Sequence, residues 1–235
     1  MSSRLQGRVD AVVAQFPLRV DRRTWLVRTA LLGAAVLLIR RQLTVGDLPE
    51  RAVVETMLYV VGPLALGLTH GRQLGWRVDR RAVKHTVALA LFVLPFYVVG
   101  SSLPTIRSYY PIWRTTLTPT EFLPHAAGLF VLALATETYY RGLLCVGIKH
   151  IGFKAVFVSP IVYQLMHAGK PAIEFWLSGP TDVLFGAVDY RSDSILPSVV
   201  AHGGGLILLD WLVLHDPLLP PERIVDWLSW LPIPV

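Results

Sequence analysis

"AAGLFVLALATETYYRG", residues 126–142, carries a run of uncharged, mostly apolar positions straight into a carboxylate, Glu137, and a guanidinium, Arg141, four residues apart. Such a run reads as part of a membrane helix. A charge near the bilayer centre costs at least about 2.5 kcal/mol, so a carboxylate there is paired, neutralised or used. Arg141 lies one turn on, on the same helix face and in the favourable order of acid before base. Taken alone, the two residues describe a self-contained ion pair that orients its helix. Their further meaning depends on what other polar groups share that depth.

The rest of the chain agrees with a bilayer as solvent. Of 235 residues, 53% are hydrophobic and 16% charged, against about 25% charged in soluble domains, and the mean hydropathy is +0.52. The net charge of +6 does not argue for nucleic acid, because the arginines sit at the edges of apolar runs, where membrane orientation puts them. The lone Cys145 has no partner for an internal disulfide and no metal-binding spacing around it.

A membrane helix needs about 20 mostly apolar residues. Seven segments qualify at 24–40, 53–70, 82–102, 124–148, 153–168, 172–189 and 194–214, the sixth interrupted by "SGPTD". The expected fold is therefore all-α, a polytopic bundle of about seven transmembrane helices. "WLVRTALLGAAVLLIRR" is read as a retained membrane helix, since Arg28 interrupts it and no small-residue cleavage site precedes Arg40.

Flanking this membrane domain of residues 24–214 are two segments suited to its surfaces. In residues 1–23, Leu5, Val9, Val12, Val13 and Phe16 recur at helical spacing among arginines, which fits a basic amphipathic segment on an anionic surface or a basic tail. In residues 215–235, Trp227 and Trp230 mark an interfacial tail. The most basic loop, "GRQLGWRVDRRAVKH" at 71–85, shares a side with the N-terminus. The positive-inside rule makes that side the cytoplasm. "SSLPTIRSYYPIWRTTLTPTEF" at 101–122 suits the headgroup layer or the entrance for a substrate.

Two further segments carry ionisable groups inside apolar sequence. "VYQLMHAGKPAIEF" (162–175) holds His167 and, two turns on, Glu174; "SVVAHGGGLILLD" (198–210) holds His202. Each histidine alone is more often a packing or helix-bridging residue. Three such sites on helices that must pack together imply a buried polar cavity. A carboxylate and a histidine can activate water and protonate a leaving amine, and a second histidine can hydrogen-bond an oxyanion. Glu137 and His167 take the first task in this reading, and His202 the second. The glycines after His202 allow close approach of a substrate or of neighbouring helices. Two histidines and a glutamate also suit zinc, but no HExxH pair is present. Ser159, Ser178 and Ser198 have no evident base and no nucleophile-elbow sequence.

In order and spacing these residues resemble the CAAX-protease and bacteriocin-processing family of glutamic intramembrane endopeptidases, whose motifs are EExxxR, FxxxH and HxxxN or HxxxD. The counterparts are "TETYYRG", "YQLMH" and "HGGGL", the last preceded by "SILPSVVAH", within residues 124–214. The resemblance implies catalytic Glu137, His167 and His202, supported by Arg141, Tyr163 and Glu174, with no cofactor and no metal. It implies a membrane-anchored protein or peptide as substrate. Three positions depart from the pattern. Thr136 stands at the first glutamate, Leu206 at the Asn or Asp, and Tyr163 at the phenylalanine. "HAGKPAIE" suggests a subgroup with a single glutamate. A non-proteolytic immunity or scaffold protein of the same fold is the alternative. A transporter would show repeat symmetry, and none is visible.

Overall fold

The structure is a computed structural model that describes residues 21–234; the basic segment at 1–23 lies almost wholly outside the described residues. Among these the chain is all-α, with no strand. Helix α1 spans Arg22–Gln42 and α2 spans Leu48–Thr69, followed by α3 (Arg80–Gly100) and the single turn α4 (Pro104–Arg107). Then come α5 (Pro119–Leu143), α6 (Val146–Phe157), α7 (Ser159–Met166), α8 (Ala172–Ser192), α9 (Leu196–Val213) and α10 (Pro221–Leu228).

Local chemistry sets the starts. Asp21, Asp47 and Asp79 each stand before a helix and accept a backbone N–H from the first turn, at 2.7–2.8 Å, satisfying donors that have no intrahelical partner. At Asp79 the Ala82 N–H holds the carboxyl below its ordinary range. Pro49, Pro104, Pro160, Pro197 and Pro221 occupy first turns, where a missing N–H is harmless.

Three helices, α2, α3 and α9, are long and apolar enough to cross a membrane, and α5 with α6 makes a fourth if that bent pair is one span. Seven spans are therefore not reached by length and hydropathy alone, and the reasons are local. The expected helix 124–148 ends at Leu143 and turns by 74° into α6. The expected fifth segment, 153–168, is split between the tight helix α6, kinked at Gly152 (φ 79°), and the eight-residue α7. By contrast α8 runs unbroken through "SGPTD", absorbing Pro180 within the helix. Helix α1 keeps arginines at both ends and at Arg28. The chain is an integral membrane protein: α3 turns Val87, Leu91, Phe92 and Phe96 outward, each more than half exposed, an apolar surface that water would not tolerate.

Helix α9 is the centre of the bundle, with 56% of its apolar window buried against 22% for α3. It lies parallel to α3, since Ile195 N–H bonds Gly75 O at one end (2.9 Å) and Arg107 donates to the carbonyls of Val213 and His215 at the other (2.8 and 2.6 Å). Those carbonyls end the helix, where a cation is favoured. The glycine run explains the tight fit: a Cβ at Gly205 would lie 2.0 Å from the Tyr97 ring, and one at Gly203 2.9 Å from Phe130. At these two positions the glycines serve helix packing.

Candidate active site

Helices α5 and α9 are antiparallel and joined twice by an acid and an imidazole. Glu137 Oε1 lies 2.6 Å from His202 Nδ1, and Asp210 Oδ2 lies 2.7 Å from His125 Nε2. Glu137 is the last residue of the α-helical part of α5. A wider, π-helical turn follows at Thr138–Leu143, a distortion that concentrates at functional sites. A similar turn at Thr56–Val61 in α2 faces it, where Tyr59 stacks on Tyr139 at 4.9 Å between ring centres.

Glu137 and Arg141 are both fully buried. Arg141 Nε lies 3.0 Å from Glu137 Oε2 and its Nη2 lies 2.8 Å from Asp182 Oδ1, but neither contact is aligned as a hydrogen bond. Charge, rather than directed bonding, holds this cluster. The guanidinium also lies over the Tyr163 ring (4.6 Å) and near Phe185 (5.6 Å), which suits a planar cation with unfilled donors. Ser159 donates to Asp182, and Ser198 donates to Asp189 from both its hydroxyl and its N–H. One guanidinium thus stands between two carboxylates. Breaking such a buried set leaves an uncompensated charge.

A cavity of about 270 Å³ lies beside the cluster. Thr136, Tyr163, His167 and His202 are on its wall, as are Leu206 and Asp210, while the Glu137 carboxylate stands behind His202. Tyr109, Ile112 and Trp113 also line it, with Arg51. The loop at 101–122 therefore takes part in the cavity as well as in any headgroup contact.

The six residues singled out from sequence separate into two groups. Glu137, Arg141, His202 and Tyr163 form the cluster just described. His167 shares the cavity wall, but its Nδ1 is bonded to Tyr163 O (2.8 Å) and its Nε2 lies 3.8 Å from Glu174 Oε1. It makes no bond to Glu137. Glu174 accepts from Tyr110 Oη (2.9 Å) and Lys170, away from the buried pair.

Sequence reading missed Asp182, Asp189, His125 and Asp210. The rule that flagged Glu137, an ionisable group in apolar sequence, applies equally to all of them. Asp182 was hidden by its place in "SGPTD", which reads as a break. Ser159 and Ser198 do have acidic partners, but no imidazole bonds either hydroxyl among the described residues, so neither resembles an activated nucleophile. Among the same residues no group of three or more His, Cys, Asp and Glu is arranged to hold a metal.

Residues 118–205, which carry Glu137, Arg141, His167 and His202, match the model of a family described as type II CAAX prenyl endopeptidase Rce1-like. No curated protein and no solved structure matched the chain.

Proposed function

We propose, from the match of residues 118–205 to the Rce1-like CAAX endopeptidase family model, that the protein hydrolyses a peptide bond of a membrane-anchored protein or peptide, using water activated by the Glu137–His202 pair. The observation that carries this reading is the 2.6 Å contact of Glu137 Oε1 with His202 Nδ1 beside a cavity that His202 itself lines. A carboxylate on one ring nitrogen fixes the tautomer and leaves the other nitrogen basic, which is how an acid and an imidazole cooperate in hydrolases.

The roles assigned from sequence change accordingly. His202 takes a proton at Nε2 from a cavity water, and the hydroxide adds to the carbonyl carbon. His167, on the same wall, donates its Nδ1–H to Tyr163 O and so keeps Nε2 as an acceptor that orients the attacking water. The proton on His202 then passes to the amine as the C–N bond breaks. Glu137 orients His202 and stabilises its imidazolium. Arg141, Asp182 and Tyr163 hold Glu137 in place. No metal takes part in these steps. The proposed setting is a bacterial inner membrane with the basic N-terminus and the 71–85 loop in the cytoplasm. Cleavage of quenched-fluorescence peptides by the purified protein in lipid nanodiscs tests the reading. Loss of turnover in Glu137→Gln and His202→Ala, with the fold retained, supports it.

A second reading is favoured by Thr136. That position lines the cavity where the family pattern carries its first glutamate, whereas Glu137 does not reach the wall. In this reading the chain is a non-proteolytic immunity or scaffold protein of the same fold. It predicts a wild-type protein without turnover and a gain of cleavage in Thr136→Glu.

A further inference from the structure

The far end of the cavity holds a carboxylate that the proposed chemistry does not use. Asp210 follows His202 by two turns on α9 and lines the same cavity. Its side chain is 3% exposed; Oδ2 meets His125 Nε2, and Oδ1 has no hydrogen-bond partner. The other carboxylate on the wall, Glu55, is contacted by the guanidinium groups of both Arg40 (3.1 Å) and Arg51 (2.7 Å). Lys170, also on the wall, is matched by Glu174. Among the described residues that line the cavity, Asp210 is therefore the acid with a free oxygen and no cationic side chain against it.

A buried acceptor without a partner is costly unless something supplies the missing donor. In a buried cavity the strongest supplier is a nitrogen carrying positive charge. We propose that Asp210 is a specificity-determining residue that binds an ammonium or guanidinium group of the peptide substrate, with His125 holding the carboxylate in position from behind. This inference takes the cavity to be the substrate site of the proposed peptidase.

Geometry sets where that cation sits. Eight residues at 1.5 Å rise separate His202 from Asp210 by about 12 Å. An extended peptide covers that distance in about three to four residues at 3.3 Å each. The substrate thus carries a Lys or Arg side chain, or a free amino terminus, three or four residues from the bond attacked at His202. Between the two ends, Leu129, Leu132 and Leu206 line the wall, so the intervening residues are apolar.

The test measures binding without turnover. Dansyl-labelled leucine-rich peptides, identical except for one lysine, ε-acetyl-lysine or norleucine, are titrated by anisotropy against the full chain in nanodiscs. Wild type is expected to bind the lysine peptide at least about tenfold more tightly than the other two, the size of a hydrogen bond to a charged group. Asp210→Asn should remove that preference, and Asp210→Glu should keep part of it. Equal affinity for the three peptides in wild type overturns the proposal without any variant, so a misfolded Asp210→Asn does not protect it. An unchanged preference in folded Asp210→Asn also overturns it. The two readings fail separately: selective binding of the lysine peptide without cleavage of any peptide removes the peptidase and keeps the Asp210 site, and cleavage with no lysine preference does the reverse.

Discussion

Glu137 Oε1 and His202 Nδ1 meet at 2.6 Å between two antiparallel helices, and the carboxylate of that pair has no exposed surface. The imidazole is the side chain through which the buried charge communicates with the cavity. A carboxylate orienting an imidazole explains both the retention of Glu137 in apolar surroundings and its absence from the cavity wall.

Arg141 carries the electrostatic balance of the core. Replacing it with Leu leaves Glu137 and Asp182 buried without their shared cation, a loss of about 3–5 kcal/mol. The expected outcome is a strongly lowered melting temperature in detergent, measured by intrinsic fluorescence. Asp182→Asn should be milder, because Arg141 keeps Glu137.

Reversal of the pair separates a simple ion pair from a network. Were Glu137 and Arg141 only partners of each other, Glu137→Arg with Arg141→Glu would preserve the fold. In the observed cluster that exchange sets a carboxylate against Asp182 and a guanidinium against His202. The double variant is expected to be recovered as aggregated or unfolded protein by size-exclusion chromatography.

The glycines of α9 differ by neighbour. Gly205→Ala drives a methyl into the Tyr97 ring, and overpacking of this kind costs about 1–3 kcal/mol. Gly204→Ala meets nothing within 4 Å and gains helix propensity. Thermal unfolding should therefore fall for the first and hold or rise for the second.

The chemistry proposed needs no metal ion. Peptide cleavage is expected to survive incubation with EDTA and 1,10-phenanthroline and to show no gain from added zinc. Inactivation by chelator that zinc reverses would replace the Glu137–His202 mechanism with a metal-assisted one.

The sequence made Glu137, Arg141, His167 and His202 visible because each interrupts an apolar run. The all-α fold was legible for the same reason. What it could not convey was pairing. Which of the intramembrane carboxylates meets which imidazole depends on contacts between residues 65 or 85 positions apart. Local pattern holds no record of such contacts. The break after Leu143 falls between Gly142 and Gly147, where the backbone closes on its neighbours: a Cβ at Gly142 would lie 2.8 Å from Leu74 O and one at Gly147 2.9 Å from Gly142 O. Pro180 misled in the opposite direction. A mid-helix proline is tolerated where surrounding structure holds the helix, and α8 keeps Asp182 and Asp189 on target through it.

Turnover of quenched-fluorescence peptides by wild type, Glu137→Gln and His202→Ala in the same nanodiscs tests the central claim most directly, with circular dichroism as the check on folding. Removal of a general base or of the group that orients it is expected to lower the rate by about 100- to 10,000-fold, in both variants and with helical content unchanged. Wild-type rates in either folded variant would contradict the claim that this pair activates water.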